Sequence, residues 1–240
     1  MARDAVIEAF TDLAPRYEGA MNRELSEMWS VSYEDFIRSL VEAIALKADE
    51  VVLDVATGTA QIPVALAGQR MAPSGLVGLD ITPAMLRRGK ENIATRGLNP
   101  RVKLVCASAM AMPMAERVFD VVVCGLGMHH MSVEDVLLQM RRVLREGGRI
   151  VLACVNAPAI WRSALGGLAI RVALLFYGWT QKSFRAQAEA AAVPNLRTIA
   201  EWQSILRNLG YHRIEIVAQI PPRRIWYPGG LILRAVKEGA

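Results

Sequence analysis

The sequence predicts a doubly wound α/β fold, a mostly parallel sheet with helices on both faces. Three observations carry this. Short runs that are apolar almost throughout alternate with helical segments, the pattern of strands buried on both sides. The first run leads directly into a loop of small residues, Ala56-Thr57-Gly58-Thr59-Ala60. The second ends on an acid, Asp80. Composition agrees: 240 residues, 53% hydrophobic and 21% charged, suffice for one domain with a sizeable core, and exclude a disordered chain and an integral membrane protein.

Residues 50–55 (EVVLDV) form the first strand and 62–69 the helix after it. Residues 76–80 (LVGLD) form the second strand, after which Thr82 stands at the N-cap and Pro83 at the first position of a helix over 84–95. The third and fourth strands fall at 102–106 and 119–124. A helix over 132–145 opens on Ser132-Val-Glu-Asp135, which has the look of a capping box, and ends at Gly147-Gly148 before a fifth strand over 149–155. A helix over 199–209 precedes strands at 212–217 and 232–236. The segment IPPRRIWYPGG between those strands is too rich in proline for a crossover helix, so they are expected to pair as an antiparallel hairpin.

Charge is unevenly placed. Residues 1–140 hold 13 basic and 18 acidic side chains, residues 141–240 hold 15 and 5, so the second part of the molecule is expected to meet something anionic. Nucleic acid is not expected as that partner, because the arginines are scattered and no finger or aromatic-rich strand signature accompanies them. Three cysteines, Cys106, Cys124 and Cys154, far apart and without a CxxC pair, exclude a disulfide scaffold and read as small buried hydrophobes. With only three histidines, no metal site is expected. The N-terminus carries no basic run followed by an apolar stretch, which gives a cytoplasmic expectation.

The chemistry begins at Asp54-Val-Ala-Thr-Gly58-Thr-Ala60. A ligand at the carboxyl end of the first strand of such a sheet comes close to the backbone, which requires small residues and exposed N–H groups. Asp80, at the tip of the next strand, suits ribose hydroxyls. The loop lacks the G-x-G-x-x-G of a pyrophosphate binder, and an acid at its head would repel phosphate. A cationic, phosphate-free adenosine ligand fits better, and S-adenosylmethionine is such a ligand.

At these residues the sequence resembles the class I S-adenosylmethionine-dependent methyltransferases, and within them the ubiquinone/menaquinone-biosynthesis C-methyltransferase group. VLDVATGTA is similar to the glycine loop, GLDITPAML to the ribose-binding strand end, and FDVVVCGLGMHHM with RRVLREGGRIVL to the fourth and fifth strands. The stretch from Phe10 through Ala14, Tyr17 and Asn22 resembles the segment that lids the cofactor. The resemblance implies a Rossmann-like seven-stranded sheet in the order 3-2-1-4-5-7-6 with the last strand antiparallel. It divides the one domain into an N-terminal helical lid (1–48), a cofactor-binding core (49–156), a helical substrate-side insertion (157–197) and a C-terminal helix and hairpin (198–240). It implies cofactor contacts from Tyr17, Asp54, Ala56, Thr57, Gly58, Thr59, Asp80, Ile81, Met85, Ser108, Ala109, Met110 and Cys124. Three departures stand out: Ala56 and Ala60 replace family glycines, Ser108 replaces an adenine-binding acid, and Leu126-Gly127-Met128-His129-His130 replaces the quinone group's pattern after the fourth strand.

Methyl transfer is an in-line displacement, so alignment in a dry pocket matters most, and a base is needed only when the nucleophile arrives protonated. His129 and His130, beyond the fourth strand, are the catalytic candidates for that role; shaping the loop is the plainer reading of either. Along residues 160–180, Trp161, Phe176 and Trp179 share one helical stripe while Tyr177 lies on the opposite side. A helix apolar on both faces fits a buried helix, a homodimer interface, or a lid over a lipophilic or anionic acceptor that touches the membrane surface, with Arg162, Arg171, Lys182 and Arg185 near head groups. Arg223-Arg224-Ile225-Trp226-Tyr227 reads either as a contact for a substrate phosphate or carboxylate or, the slightly favoured reading, as a solvated turn anchored by its two aromatics. The expected function is methyl transfer to a hydrophobic, quinone-like molecule at carbon or oxygen. An N- or O-methyltransferase of a soluble natural product, and a non-catalytic cofactor-binding scaffold or peripheral membrane partner, are the alternatives.

Overall fold

The computed structural model describes residues 3–69, 71–167 and 184–239. Seven strands form one sheet in the order β3-β2-β1-β4-β5-β7-β6, as expected: β1 Val51–Val55, β2 Gly75–Asp80, β3 Val102–Cys106, β4 Phe119–Gly125, β5 Leu144–Asn156, β6 Tyr211–Ile220 and β7 Gly229–Lys237. The first five run parallel, and β7 is antiparallel to both β5 and β6.

Side chains that alternate along the central strands divide the core into two layers. On one face Leu53, Val122, Cys124, Ile150 and Leu233 pack with α6 (Val133–Val143) and α8 (Ile199–Asn208), the latter through the buried Trp202 and Leu206. On the other, Val52, Val121, Val123 and Ile232 pack with α2 (Tyr17–Trp29), α3 (Tyr33–Ile44) and α4 (Gln61–Ala67). Helix α5 (Pro83–Thr95) packs beside β3, and α1 (Arg3–Leu13) packs against α7 (Phe184–Ala192). One ion pair ties the N-terminal helices to this frame. Arg149 of β5 donates to both carboxylate oxygens of Glu50 (2.6 and 2.7 Å) and to the carbonyls of Ile44 (2.8 Å) and Ala45 (2.9 Å) at the end of α3.

Several local expectations are corrected. Helix α6 ends at Val143 rather than at the glycine pair, and β5 begins at once with Leu144 opposite Phe119; residues 145–148 then bulge out of the ladder before Arg149 meets Val121. Ser132 and Thr82 occupy N-cap positions, but neither side chain makes a cap bond. The capping box lies instead at α8, where the Thr198 hydroxyl accepts from Glu201 N–H and Glu201 accepts from Thr198 N–H. Cys124 and Cys154 are buried as expected, whereas Cys106 is exposed at the end of β3. Arg162 is not free for head groups: it forms a forked pair with Glu201 (2.8 and 2.9 Å) and donates to the Leu196 carbonyl. Phe176, Tyr177 and Trp179, with Arg171 and Lys182, lie outside the described residues. Among the described residues, no helix is long and apolar enough to cross a membrane.

Candidate active site

The loop after β1 is shaped by three left-handed residues, Ala56 (φ +56°), Gly58 (φ +54°) and Ala60 (φ +60°). Such a conformation costs an alanine about 1–2 kcal/mol relative to the right-handed form, so the two alanines carry strain that glycines would not. The loop is held down by Thr57 N–H donating to the Leu79 carbonyl (2.9 Å) and by Gly58 N–H donating to Asp80 Oδ2 (2.8 Å). The other Asp80 oxygen accepts from Thr82 N–H (2.8 Å). A Cβ added to Gly58 would meet nothing within 4 Å, so the backbone there faces open space.

That space is a cavity of about 500 Å³ at the carboxyl ends of the parallel strands. Its wall includes Tyr17, Ala56, Gly58, Asp80, Ile81, Met85, Ser108, Ala109 and Met110. Asp54, Thr57, Thr59 and Cys124 are buried behind the loop and do not reach the wall. Asp54 is nevertheless unusual: it is fully buried and neither carboxylate oxygen has a hydrogen-bond partner. Burial, opposed by the nearby Thr57 hydroxyl and reinforced by the Asp80 charge, pushes its pKa up to about 8. Burial raises the Asp80 pKa as well, although its backbone donors oppose the shift.

The N-terminal helices close one side. Phe10 and Tyr17 line the cavity, and Glu18 beside them accepts from Asn92 (2.8 Å) and Gln61 (3.2 Å), fastening α2 to α5 and α4. Burial would raise the Glu18 pKa, but the Asn92 bond and the Arg88 charge outweigh it and leave the carboxyl below its ordinary value.

His129 and His130 lie against each other, with ring centroids 4.2 Å apart, but only one of them borders the cavity. His130 is among the residues lining the cavity, its ring edge-on to Phe10 with centroids 5.2 Å apart, while His129 is not. Glu189 of α7 faces both, 3.7 Å from His129 Nε2 and 3.6 Å from His130 Nε2. Burial alone would raise the Glu189 pKa, yet the two imidazoles hold it well below the usual carboxylate range. Burial lowers the His129 pKa, against the pull of Glu189. The three groups are close enough to hold a cation, but each Nδ1 is buried without a partner. Histidines that ligate metal ordinarily donate that second nitrogen to an acceptor, so the triad fits a proton better than a metal ion.

Asn195 and Arg197 complete the wall from the segment before α8. Asn195 donates to the His129 carbonyl (3.1 Å), and Arg197 bridges Asn156 at the end of β5. Neither these two nor Glu189 was anticipated; nothing local marks them, since each reaches the site only through the long return from β5. Trp161 is partly buried and lies off the cavity.

The donor set suits S-adenosylmethionine. An open glycine backbone, a carboxylate at the tip of β2 and an unpartnered buried carboxyl group beneath the loop provide close approach, a ribose acceptor and a group whose ionised form a cation would favour. The fold and this site define a class I S-adenosylmethionine-dependent methyltransferase. Residues 1–163 match the ubiE/COQ5 methyltransferase family, and the chain belongs to that family.

Among its relatives is a ubiquinone/menaquinone biosynthesis C-methyltransferase UbiE of a Geobacter species, 32% identical over 153 residues that make up 63% of this chain and 63% of that one. The match thus spans less than two thirds of that relative's length. A demethylmenaquinone methyltransferase of Bacillus cytotoxicus is 26% identical over 227 residues, covering 89% of this chain and 90% of the relative. Among solved structures, the [4+2]-cyclase SpnF superposes with a TM-score of 0.69 at 15% identity over 98% of this chain and 96% of its own. The YcgJ protein of a Bacillus does so with a TM-score of 0.67 at 14% identity, over 87% and 100%. At these identities the structural likeness is one of fold alone.

Proposed function

We propose that the protein transfers a methyl group from S-adenosylmethionine to a carbon of a hydrophobic, quinone-like acceptor in its reduced, hydroxyl-bearing form. The observation that carries this reading is the cavity itself, which joins a ribose-type carboxylate, Asp80, to an apolar wall of Phe10, Met85 and Met131 with one imidazole, His130, among them. Membership of the ubiE/COQ5 family, with relatives named for quinone biosynthesis, supports carbon as the acceptor atom. S-adenosylmethionine, when bound, supplies a methyl group on a sulfonium centre that an electron-rich carbon can displace.

The chain's own residues do the rest. Asp80 and the Gly58 backbone hold the nucleoside end, and Asp54 supplies negative charge beneath the loop. Phe10 and Tyr17 cover the cavity and exclude water, which strengthens every charge interaction inside it. His130 Nδ1, which has no partner while Nε2 faces Glu189, takes the hydroxyl proton of the acceptor, which enriches the ring carbon in electrons, and Glu189 stabilises the imidazolium that results. Once the carbon carries the methyl group, the hydrogen it bore leaves as a proton to solvent and the imidazolium returns its proton to the acceptor oxygen, which restores the aromatic ring. A methyl transfer to oxygen or nitrogen is favoured by one observation, the replacement of the quinone group's pattern by Leu126-Gly127-Met128-His129-His130, since a base at this place serves a protonated heteroatom equally well. Incubation with methyl-labelled cofactor separates the readings. Label retained on carbon of a naphthohydroquinone or benzohydroquinone supports the proposal; label only on oxygen or nitrogen of soluble phenols or amines overturns it.

A further inference from the structure

The turn between β6 and β7 is braced to project. Arg223 N–H donates to the Met28 carbonyl (2.8 Å), and the Trp29 indole donates to the Pro228 carbonyl (2.9 Å), so both ends of the turn are fixed to α2. Between these points Tyr227 N–H closes on the Arg224 carbonyl (2.9 Å) and the apolar residues face outward: Ile225 is 82% exposed and Trp226 60%. Arg223 and Arg224 are exposed beside them. The Arg224 guanidinium lies 5.5 Å from the centre of the Tyr227 ring, and among the described residues neither arginine joins an ion pair within 4 Å. The expected anchoring by two aromatics is thus reversed: the backbone anchors, and the side chains are presented.

Topology decides where they are presented. Because β7 runs against β5, Gly229 lies opposite Asn156, and the turn stands on the edge of the sheet where the parallel strands end. That is the edge carrying the cavity. Asn156 bridges Arg197, which lines the cavity on one side, and also borders a cleft of about 580 Å³ lined by Ile220, Ile225 and Tyr227 on the other.

We propose that this turn docks the protein on the surface of an anionic bilayer, with Ile225 and Trp226 entering the boundary between head groups and acyl chains and Arg223 and Arg224 on lipid phosphates. An indole beside an aliphatic wedge suits that boundary, and each arginine near an anionic surface contributes about 1 kcal/mol, roughly fivefold in affinity. A second copy is the poorer occupant. Two copies meeting at this turn would bring both pairs of guanidinium groups together, and a two-residue wedge is far short of the roughly 800 Å² per partner of a stable interface. Docking turns the cavity's edge toward the bilayer, where a lipophilic acceptor would be held. The inference goes beyond the methyl-transfer reading and stands without it, because its readout is binding.

Co-sedimentation with vesicles of phosphatidylcholine alone and of phosphatidylcholine mixed with phosphatidylglycerol tests it. The wild type is expected to bind the mixed vesicles, more weakly at higher salt. The double variants I225S/W226S and R223E/R224E each lose about tenfold or more, with unchanged melting temperature and cofactor affinity, whereas Trp226→Phe retains most of the binding. Equal binding of the wild type and I225S/W226S overturns the proposal. So does an absence of binding to the mixed vesicles, or a concentration-dependent dimer in which Trp226 fluorescence is shielded without lipid.

Discussion

Glu189 reaches His130 from a helix far away in sequence, with a carboxylate oxygen 3.6 Å from Nε2, and the ring it approaches is the one that lines the cavity. Removing the imidazole is therefore expected to act on turnover more than on binding. His130→Ala should lower kcat by about 10²-fold or more, with the cofactor dissociation constant within about twofold of wild type. Glu189→Gln should lower kcat by roughly tenfold with little change in KM, since it removes the partner of the imidazolium and not the imidazole. His129→Gln, at a residue that does not line the cavity, should cost less than either. Steady-state kinetics on the three variants with one acceptor checks the order; equal losses at His129 and His130 would contradict it.

The cofactor loop predicts a proton that moves when a cation binds. With a pKa near 8, Asp54 is mostly protonated at pH 7, and a cationic ligand above the loop favours its ionised form. Affinity for S-adenosylmethionine should rise as pH increases from about 6 toward 8 and then level off, with proton release on binding. Titration calorimetry in two buffers of different ionisation enthalpy measures the release, and Asp54→Asn should abolish it. Stability shows the opposite slope. The folded pKa lies above the unfolded one, so the folded state binds the extra proton between about pH 4 and pH 8, and this carboxyl withdraws up to about 1.4 kcal/mol per pH unit as pH rises through that window. Asp54→Asn should flatten that part of the pH–stability curve.

Ala56 and Gly127 are fitted to each other. A Cβ built on Gly127 would stand 2.7 Å from the Ala56 methyl and 3.3 Å from Cys124 Sγ. Gly127→Ala should therefore destabilise by about 1–3 kcal/mol, and Ala56→Gly, which also relieves a left-handed alanine, should restore part of that loss in the double variant. Thermal melts of the two singles and the double form the cycle; strict additivity would show that the two sites do not touch.

The Arg149–Glu50 pair is mostly buried, with side chains 12% and 13% exposed, and it joins β5 to the end of α3. Glu50→Ala leaves a guanidinium without its charge partner and should cost about 3 kcal/mol, read by denaturant unfolding. The Arg149 and Lys47 contacts hold the Glu50 pKa below its ordinary value despite burial. Its contribution is thus full above the unfolded carboxylate range and fades as pH falls through the lower, folded value.

What could be read in the chain, and what could not, follows from the range of the interactions. The parallel strands were legible because burial on both faces writes a continuous apolar run, as in Val121–Val122–Val123, and Asp80 was legible because it interrupts such a run at its tip. The start of β5 was not: Leu144-Arg145-Glu146-Gly147-Gly148 looks like a helix end, and only pairing of Leu144 with Phe119 makes it a strand. Glu189 sits in the run Ala-Gln-Ala-Glu-Ala-Ala-Ala, where a lone acid looks solvated, and its role depends on two rings contributed by the loop after β4. The difference between His129 and His130 was also invisible: both rings turn to Glu189 and lie 4.2 Å apart, and which of two adjacent residues borders the cavity depends on long-range packing, such as that of Phe10 on His130. SpnF, a cyclase by name, shares the fold, which is why the reaction has to be argued from the site and not from the sheet.

The reversed direction of β7 has a consequence for synthesis. Trp29 and Pro228, 199 residues apart, meet at the same rim because the hairpin brings late chain back to the early helices. On the ribosome the parallel half of the sheet can collapse as soon as β5 emerges, but the edge of β5 then remains unpaired, waiting for a strand not yet made. Chaperones that shield open strand edges should therefore engage this chain late, in the interval between β5 and β7, and release it only when the hairpin has closed.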